Sequence, residues 1–341
     1  MIIEKITLNQ DRNVTLTAYI HEKSPEYKGL DIRPAIVVLP GGGYSMCSDR
    51  EADCVATEYV NAGFHAFVLR YTLKTQGGWP LPLNDYEETL NLIKQNKEIW
   101  RIDCDRIAVV GFSAGGHLAA CAATLAQNRP TVAILGYPAL KKDIVDACQP
   151  NMPYPAEHID NKTCPCFIFA SRDDNIVPID GMLDFQQALY KHGINFESHV
   201  YSFGGHGFSI GRKPINESVI CDHACDWVKD SLSFISDTWG EFSENGFSEP
   251  HIGRCVNGDY DETLSVNCTY GHLLKNEQAR QIISPVVNAI NVLIKANGNS
   301  PLLDTITRTF KLTDLLQMFK LDNLKSSLNT ELKKIKNNSN C

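Results

Sequence analysis

The chain has 341 residues, 43% hydrophobic and 21% charged, which is enough apolar material for one large α/β domain with a small appendage or for two medium domains. Its 32 basic and 40 acidic residues leave a net charge of −8, without the concentrated basic stripe that neutralises nucleic-acid phosphates. No apolar run approaches the roughly 20 residues needed to span a bilayer, and the opening Met1-Ile2-Ile3-Glu4-Lys5 lacks the basic-then-apolar pattern of an export signal. The expectation is a cytoplasmic protein with no nucleic-acid or membrane partner. Its twelve scattered cysteines are read as reduced thiols and carry no disulfide framework. The sequons at Asn13, Asn161 and Asn267 are read as chance matches.

In chain order, residues Ile2 to Leu8 and Val14 to Ile20 read as an opening antiparallel pair. Apolar runs follow at Ala35 to Leu39, His65 to Leu69, Ile107 to Phe112, Thr131 to Leu135 and Cys164 to Ala170, the pattern of strands buried on both faces of a parallel sheet. Phe196 to Phe203 alternates more and belongs nearer an edge. Helices are predicted at about 49–62, 85–98, 115–127, 180–192 and 217–236, and 138–162 reads as a short lid or loop. Strand-helix alternation predicts a doubly wound, mostly parallel α/β sheet with right-handed crossovers.

This catalytic domain is expected to span 1–239 and to be complete by Trp239. A Gly/Ser/Asn/Glu-rich linker is expected over 240–263 and a helical module over 264–341. In that module Ser284-Pro285 reads as an N-cap and first-turn pair leading into the apolar face Val286, Val287, Ile290, Leu293 and Ile294. Leu321, Leu324, Leu328, Leu332 and Ile335 make a second seam. Such seams must pack on each other, on the α/β domain or on a second subunit, so a homo-oligomer through these helices is one expectation.

The sharpest local signal is Gly111-Phe112-Ser113-Ala114-Gly115, which follows a predicted strand and opens a predicted helix. That context makes a tight turn that lifts the Ser113 hydroxyl out of the sheet, and the glycines leave room for it. A serine hydroxyl needs a base to take its proton and a carboxylate to orient that base. Both fall in order just past the next strands: Asp173-Asp174 after Cys164 to Ala170, and His206, set among glycines, after Phe196 to Phe203. Asp174 is favoured over Asp173 as the acid. Pro40-Gly41-Gly42-Gly43-Tyr44 lies where an oxyanion loop belongs, which nominates the amides of Gly42, Gly43 and Ala114 as donors.

Taken together, P-G-G-G-Y, G-F-S-A-G-G-H-L-A, D-N-I-V-P and G-G-H-G-F resemble the α/β-hydrolase esterases related to hormone-sensitive lipase, in particular the bacterial acetyl esterase group associated with acetylated xylan. The resemblance covers about residues 15–236. It implies Asp174 as the acid, through D-x-x-V-P, and His206 as the base. One departure is Pro40, which stands where many relatives have the histidine of H-G-G-G and makes acyl preference less transferable. The helical tail lies outside the match and is similar to small helical modules appended to carbohydrate-active enzymes.

The resulting expectation is a serine carboxylesterase that cleaves short acyl esters, acetyl above all, with a small-molecule ester as substrate and acetylated oligosaccharides as the natural class. An amidase, formamidase or peptidase could use the same triad, and a non-catalytic binding protein could use the same scaffold. No dinucleotide fingerprint or phosphate-binding loop is present, so no cofactor is expected. Cys221-Asp222-His223-Ala224-Cys225 places two thiols on one helix face without further ligands, and no metal is expected there. His117 reads as a packing or capping residue, and Trp79-Pro80-Leu81-Pro82 as an ordinary loop.

Overall fold

The apolar runs become eight strands of one sheet in the computed structural model of the protein, which describes residues 1–26, 29–213, 215 and 219–337. They are β1 (Ile2–Asn9), β2 (Val14–Ile20), β3 (Arg33–Leu39), β4 (His65–Arg70), β5 (Ile102–Phe112), β6 (Val132–Gly136), β7 (Cys166–Ser171) and β8 (Phe196–Tyr201). Their order is β1-β2-β4-β3-β5-β6-β7-β8. The β1–β2 and β2–β4 pairings are antiparallel and all later ones parallel. Every residue of β3 is buried, as a strand covered on both faces requires. β8 forms the sheet edge, and only its last residue, Tyr201, is buried.

Helices α1 (Asp53–Asn61), α2 (Leu81–Gln95), α3 (Lys97–Trp100), α4 (Ala114–Leu125), α5 (Lys142–Cys148), α6 (Asp180–Lys191) and α7 (Trp227–Trp239) connect or follow the strands. α4 is buried over Ala114–Thr124, and its Ala- and Gly-rich sequence lets it lie close on the sheet. α2 starts four residues earlier than expected because Pro82 fits a first helical turn, where its missing N–H has no intrahelical partner to lose. α7 starts later than expected: Asp222–Asp226 is a 3₁₀ turn, and Glu217 and Ser218 of the expected helix lie outside the described residues. The segment expected as a lid or loop, 138–162, carries α5 and a 3₁₀ turn at Pro155–His158.

Contacts divide the chain into Met1–Arg254 and Cys255–Cys341. The start of the expected linker therefore belongs to the first unit, and side chains and backbone hold it there. Strands β9 (Phe242–Ser243) and β10 (Gly246–Phe247) pair as a hairpin, and the Arg106 guanidinium lies 3.9 Å from the Phe247 ring centroid. The amides of His251 and Ile252 donate to the Asp237 carbonyl, and that of Asn195 to the Arg254 carbonyl at 2.9 Å.

The second unit contains α8 (Tyr270–Leu273), α9 (Glu277–Ile282), α10 (Ser284–Ala296), α11 (Pro301–Thr309), α12 (Leu312–Met318) and α13 (Lys325–Leu332). Side chains of Thr269, Asn276 and Ser300 cap three of them. Ser284 is the first helical residue of α10 rather than its cap, which falls on Ile283. The second apolar seam is bent by a 3₁₀ turn at Asp322–Leu324, and Val286, Ile290, Leu328 and Leu332 meet in one core. Among the described residues no helix is long and apolar enough to cross a membrane.

Candidate active site

The parallel strands all deliver their C-terminal ends to one side of the sheet, where open α/β sheets bind ligands. At the end of β5 the chain turns into α4 through Ser113, whose φ of 52° and ψ of −117° are strained for a non-glycine residue. The flanking glycines are sterically required. A Cβ on Gly111 would lie 2.1 Å from the Gly115 carbonyl oxygen, and one on Gly115 would lie 2.1 Å from that of Leu39.

Past β7, Asp174 is buried and its carboxylate is fully used. Oδ1 accepts the amides of Ile176 (3.0 Å) and Val177 (2.8 Å), while Oδ2 accepts His206 Nδ1–H at 2.6 Å. Past β8, His206 lies in a loop whose glycines 204, 205 and 207 all have positive φ. A carboxylate only accepts, so Nδ1 carries the proton and Nε2 is free to accept from the Ser113 hydroxyl, 2.8 Å away. The structure thus aligns Ser113, His206 and Asp174. Asp173 faces elsewhere and accepts the Gly205 amide at 3.0 Å, tying the histidine loop to the aspartate loop.

The amides of Gly42, Gly43 and Ala114 take no acceptor among the described residues. All three residues line a cavity of about 320 Å³ together with Ser113 and His206. Its apolar wall comes from Met46, Ala139, Ile176 and Val177, and from Ile144 and Cys148 of α5. A broader depression of about 580 Å³ lies at the opposite, N-terminal ends of β5–β7, beside Arg106, Arg129 and Lys162, far from the aligned serine and histidine in the fold.

Two neighbours, Glu51 and Tyr137, left no sequence signal. Glu51, 3% exposed, accepts the Gly41 amide (2.8 Å) and the Tyr137 hydroxyl (2.7 Å), and burial raises its proton affinity. Tyr137 sets its ring edge-on to His206, with centroids 5.0 Å apart. His117 donates Nε2–H to the Pro153 carbonyl (2.9 Å) and accepts the Tyr44 hydroxyl at Nδ1 (2.8 Å). Burial lowers its pKa from 6.5 to about 4, so it is a neutral buttress that holds Tyr44 at the end of the Gly41–Gly43 loop. Trp79 packs edge-on to His117 and donates its amide to Gln149; the expected 79–82 loop is instead a turn at Trp79-Pro80 that opens α2 with Leu81 and Pro82, and this bond links it to the end of α5. Cys221 and Cys225 lie at a 3₁₀ turn rather than along one helix face, and His223 sits against Cys221, 3.2 Å from its Sγ. Among the described residues no group of three potential metal ligands converges.

The BD-FAE family model matches residues 23–143. The chain is 40% identical to MGS-M1, an α/β-hydrolase enzyme from a Medee basin deep-sea metagenome library, whose crystal structure superposes with a TM-score of 0.65 over 69% of this chain and 97% of that one. It is 30% identical over 227 residues to endo-1,4-beta-xylanase B of Butyrivibrio fibrisolvens, covering 58% of this chain and 35% of the relative. It is 29% identical over 217 residues to an acetylxylan esterase of Xylanibacter ruminicola, covering 57% of this chain and 45% of the relative. The chain therefore matches less than half the length of these two curated relatives.

Proposed function

The chain belongs to the α/β-hydrolase family, and from that footing we propose that it is a serine carboxylesterase that cleaves short acyl esters through a covalent acyl-enzyme. The observation that carries the reading is the continuous chain Ser113 Oγ–His206 Nε2 (2.8 Å) and His206 Nδ1–Asp174 Oδ2 (2.6 Å), set beside three unbonded amides in one cavity.

In this scheme His206 takes the Ser113 proton as Oγ attacks the ester carbonyl carbon, and Asp174 stabilises the resulting imidazolium. The oxyanion of the tetrahedral intermediate is received by the amides of Gly42, Gly43 and Ala114, preorganised donors that need no rearrangement as charge develops. Collapse breaks the bond to the alcohol oxygen, which receives the proton from His206. A water deprotonated by His206 then attacks the acyl carbon and releases the carboxylic acid and free Ser113. A cavity of about 320 Å³ is at the small end for ligand sites and favours an acetyl-sized acyl group. The acetylxylan esterase relative supports an acetylated saccharide as the alcohol partner.

The test is steady-state hydrolysis of p-nitrophenyl acetate and butyrate, acetylated xylo-oligosaccharides and a peptide anilide by wild type and Ser113→Ala. Acetates are expected to turn over fastest, and loss of the nucleophile is expected to cost roughly 10⁶-fold in kcat. A variant that keeps a tenth of the wild-type rate, or a wild type that prefers the anilide, overturns the reading.

A further inference from the structure

Behind the aligned serine and histidine lies a second buried carboxylate that the proposed chemistry does not use. Glu51 sits on a 3₁₀ turn ten residues past Gly41, and both its oxygens are committed. Oε2 accepts the amide of Gly41, the residue directly before the Gly42 and Gly43 donors. Oε1 accepts the hydroxyl of Tyr137, whose ring lies edge-on to His206. The Tyr137 oxygen in turn accepts the amide of Ser209, three residues beyond His206, at 3.0 Å. The Ser209 hydroxyl returns to the Arg50 carbonyl, next to Glu51. One side chain therefore ties the oxyanion loop to the histidine loop, and it does so at close quarters. A Cβ on Gly41 would meet Glu51 Oε2 at 2.7 Å and the Ser113 Cβ at 3.0 Å.

A buried carboxylate is an expensive way to satisfy one amide and one hydroxyl, because neutral acceptors do the same without desolvating a charge. The charge has a specific neighbour, however. The charged groups facing Glu51 are His206 and Arg50, with the hydroxyls of Tyr137 and Tyr71 beside it. Burial, the larger influence, disfavours its ionised form, while the hydrogen bonds from Tyr137 and Gly41 and the neighbouring positive groups favour it.

Resting on the esterase reading, we infer that Glu51 is a positioning residue of this site: through the Gly41 amide and the Tyr137 hydroxyl its carboxylate holds the Gly41–Gly43 loop in register with the histidine loop.

Glu51→Ala removes anchor and charge together. Glu51→Gln keeps one acceptor oxygen, enough for the Gly41 amide, but puts an NH₂ where the Tyr137 hydroxyl now donates, so it removes the charge and one of the two bonds while keeping the volume. On p-nitrophenyl acetate, Glu51→Ala is expected to lose about 10²-fold in kcat with KM within about threefold of wild type, the cost of misplaced oxyanion donors. Glu51→Gln should recover part of that, to roughly 10-fold below wild type.

Wild-type kcat in Glu51→Ala, a loss confined to KM, or equal losses in the two variants each overturns the inference. Should Glu51→Ala fail to fold, Glu51→Gln and Tyr137→Phe keep the side-chain volume. Wild-type kcat in both then overturns it, and a loss of roughly 10-fold in each supports it. Labelling of wild-type Ser113 by a fluorophosphonate probe separates the two levels. A wild type that neither labels nor cleaves an aryl acetate removes the esterase reading and this inference with it, whereas labelling with unaltered Glu51 variants removes the inference alone.

Discussion

Replacing one carboxylate oxygen with an amide nitrogen should have very different consequences at positions 173 and 174, although the residues are adjacent. Asp174 accepts three N–H groups, two backbone amides at Oδ1 and His206 Nδ1–H at Oδ2. In Asp174→Asn the amide oxygen must stay with Ile176 and Val177, because turning it away would leave two amides facing an NH₂ group. The new NH₂ then points at His206 Nδ1, and the imidazole can meet it only as the other tautomer, with the proton on Nε2. That nitrogen faces Ser113 Oγ at 2.8 Å and can no longer accept its proton. The expected loss is about 10⁴-fold in kcat, as for a triad with a misplaced tautomer. Among the described residues Asp173 accepts the Gly205 amide, at 3.0 Å and exposed, and in Asp173→Asn the amide oxygen can keep that bond. Its kcat should stay within roughly 10-fold of wild type, since a retained neutral hydrogen bond changes little. Steady-state kinetics on p-nitrophenyl acetate with both variants, each checked by circular dichroism, measures the difference. A kcat for Asp174→Asn within tenfold of wild type, or a larger loss in Asp173→Asn, would refute the tautomer reasoning.

Other outcomes follow from single features. Gly41→Ala forces a Cβ against the Phe112 carbonyl (2.8 Å) as well as Glu51, so kcat on aryl acetates should drop about 10²-fold; unchanged kcat would mean the loop tolerates displacement. His117 is neutral in the folded protein, with its pKa lowered from 6.5 to about 4, so its contribution is fully present above pH 6.5 and is lost as the pH falls toward 4, where only the unfolded chain takes up the proton. At ~1.4 kcal/mol per pKa unit the loss is ~3 kcal/mol, so urea unfolding at pH 7 and pH 4.5 should show a clearly smaller drop in the non-titrating replacement His117→Gln than in wild type; equal drops would remove His117 as the cause. A chain ending at Arg254 should fold and cleave an aryl acetate, and should melt higher than one ending at Trp239, which loses the Arg106–Phe247 contact and the bonds to Asp237 and Asn195. Equal melting temperatures for the two truncations would show that 240–254 adds nothing to the first unit.

Periodicity carried the α/β pattern well because its cause is local. A strand covered on both faces must be apolar throughout, as β3 is, and an edge strand may alternate, as β8 does. Boundaries were less legible where competing local geometry decided them. The chain before Trp227 winds into a 3₁₀ turn, and the second seam of the C-terminal unit bends at Asp322–Leu324. The 240–254 segment reads as a linker by composition, yet Phe247 has a specific partner in Arg106, which no composition window registers.

By itself the sequence determined on which turns Ser113, Asp174 and His206 sit, because Gly111-Phe112-Ser113-Ala114-Gly115 and the loops of Asp174 and His206 are defined by their immediate neighbours. The tertiary structure decided how those turns meet: which aspartate oxygen faces His206 Nδ1, which helix closes the cavity, and that Glu51 bonds both Gly41, ten residues away, and Tyr137, 86 residues away. The physical reason is that such contacts follow from strand order, which brings β3, β5, β6, β7 and β8 to one end of a single sheet, and strand order is set by packing between distant segments rather than by any local pattern.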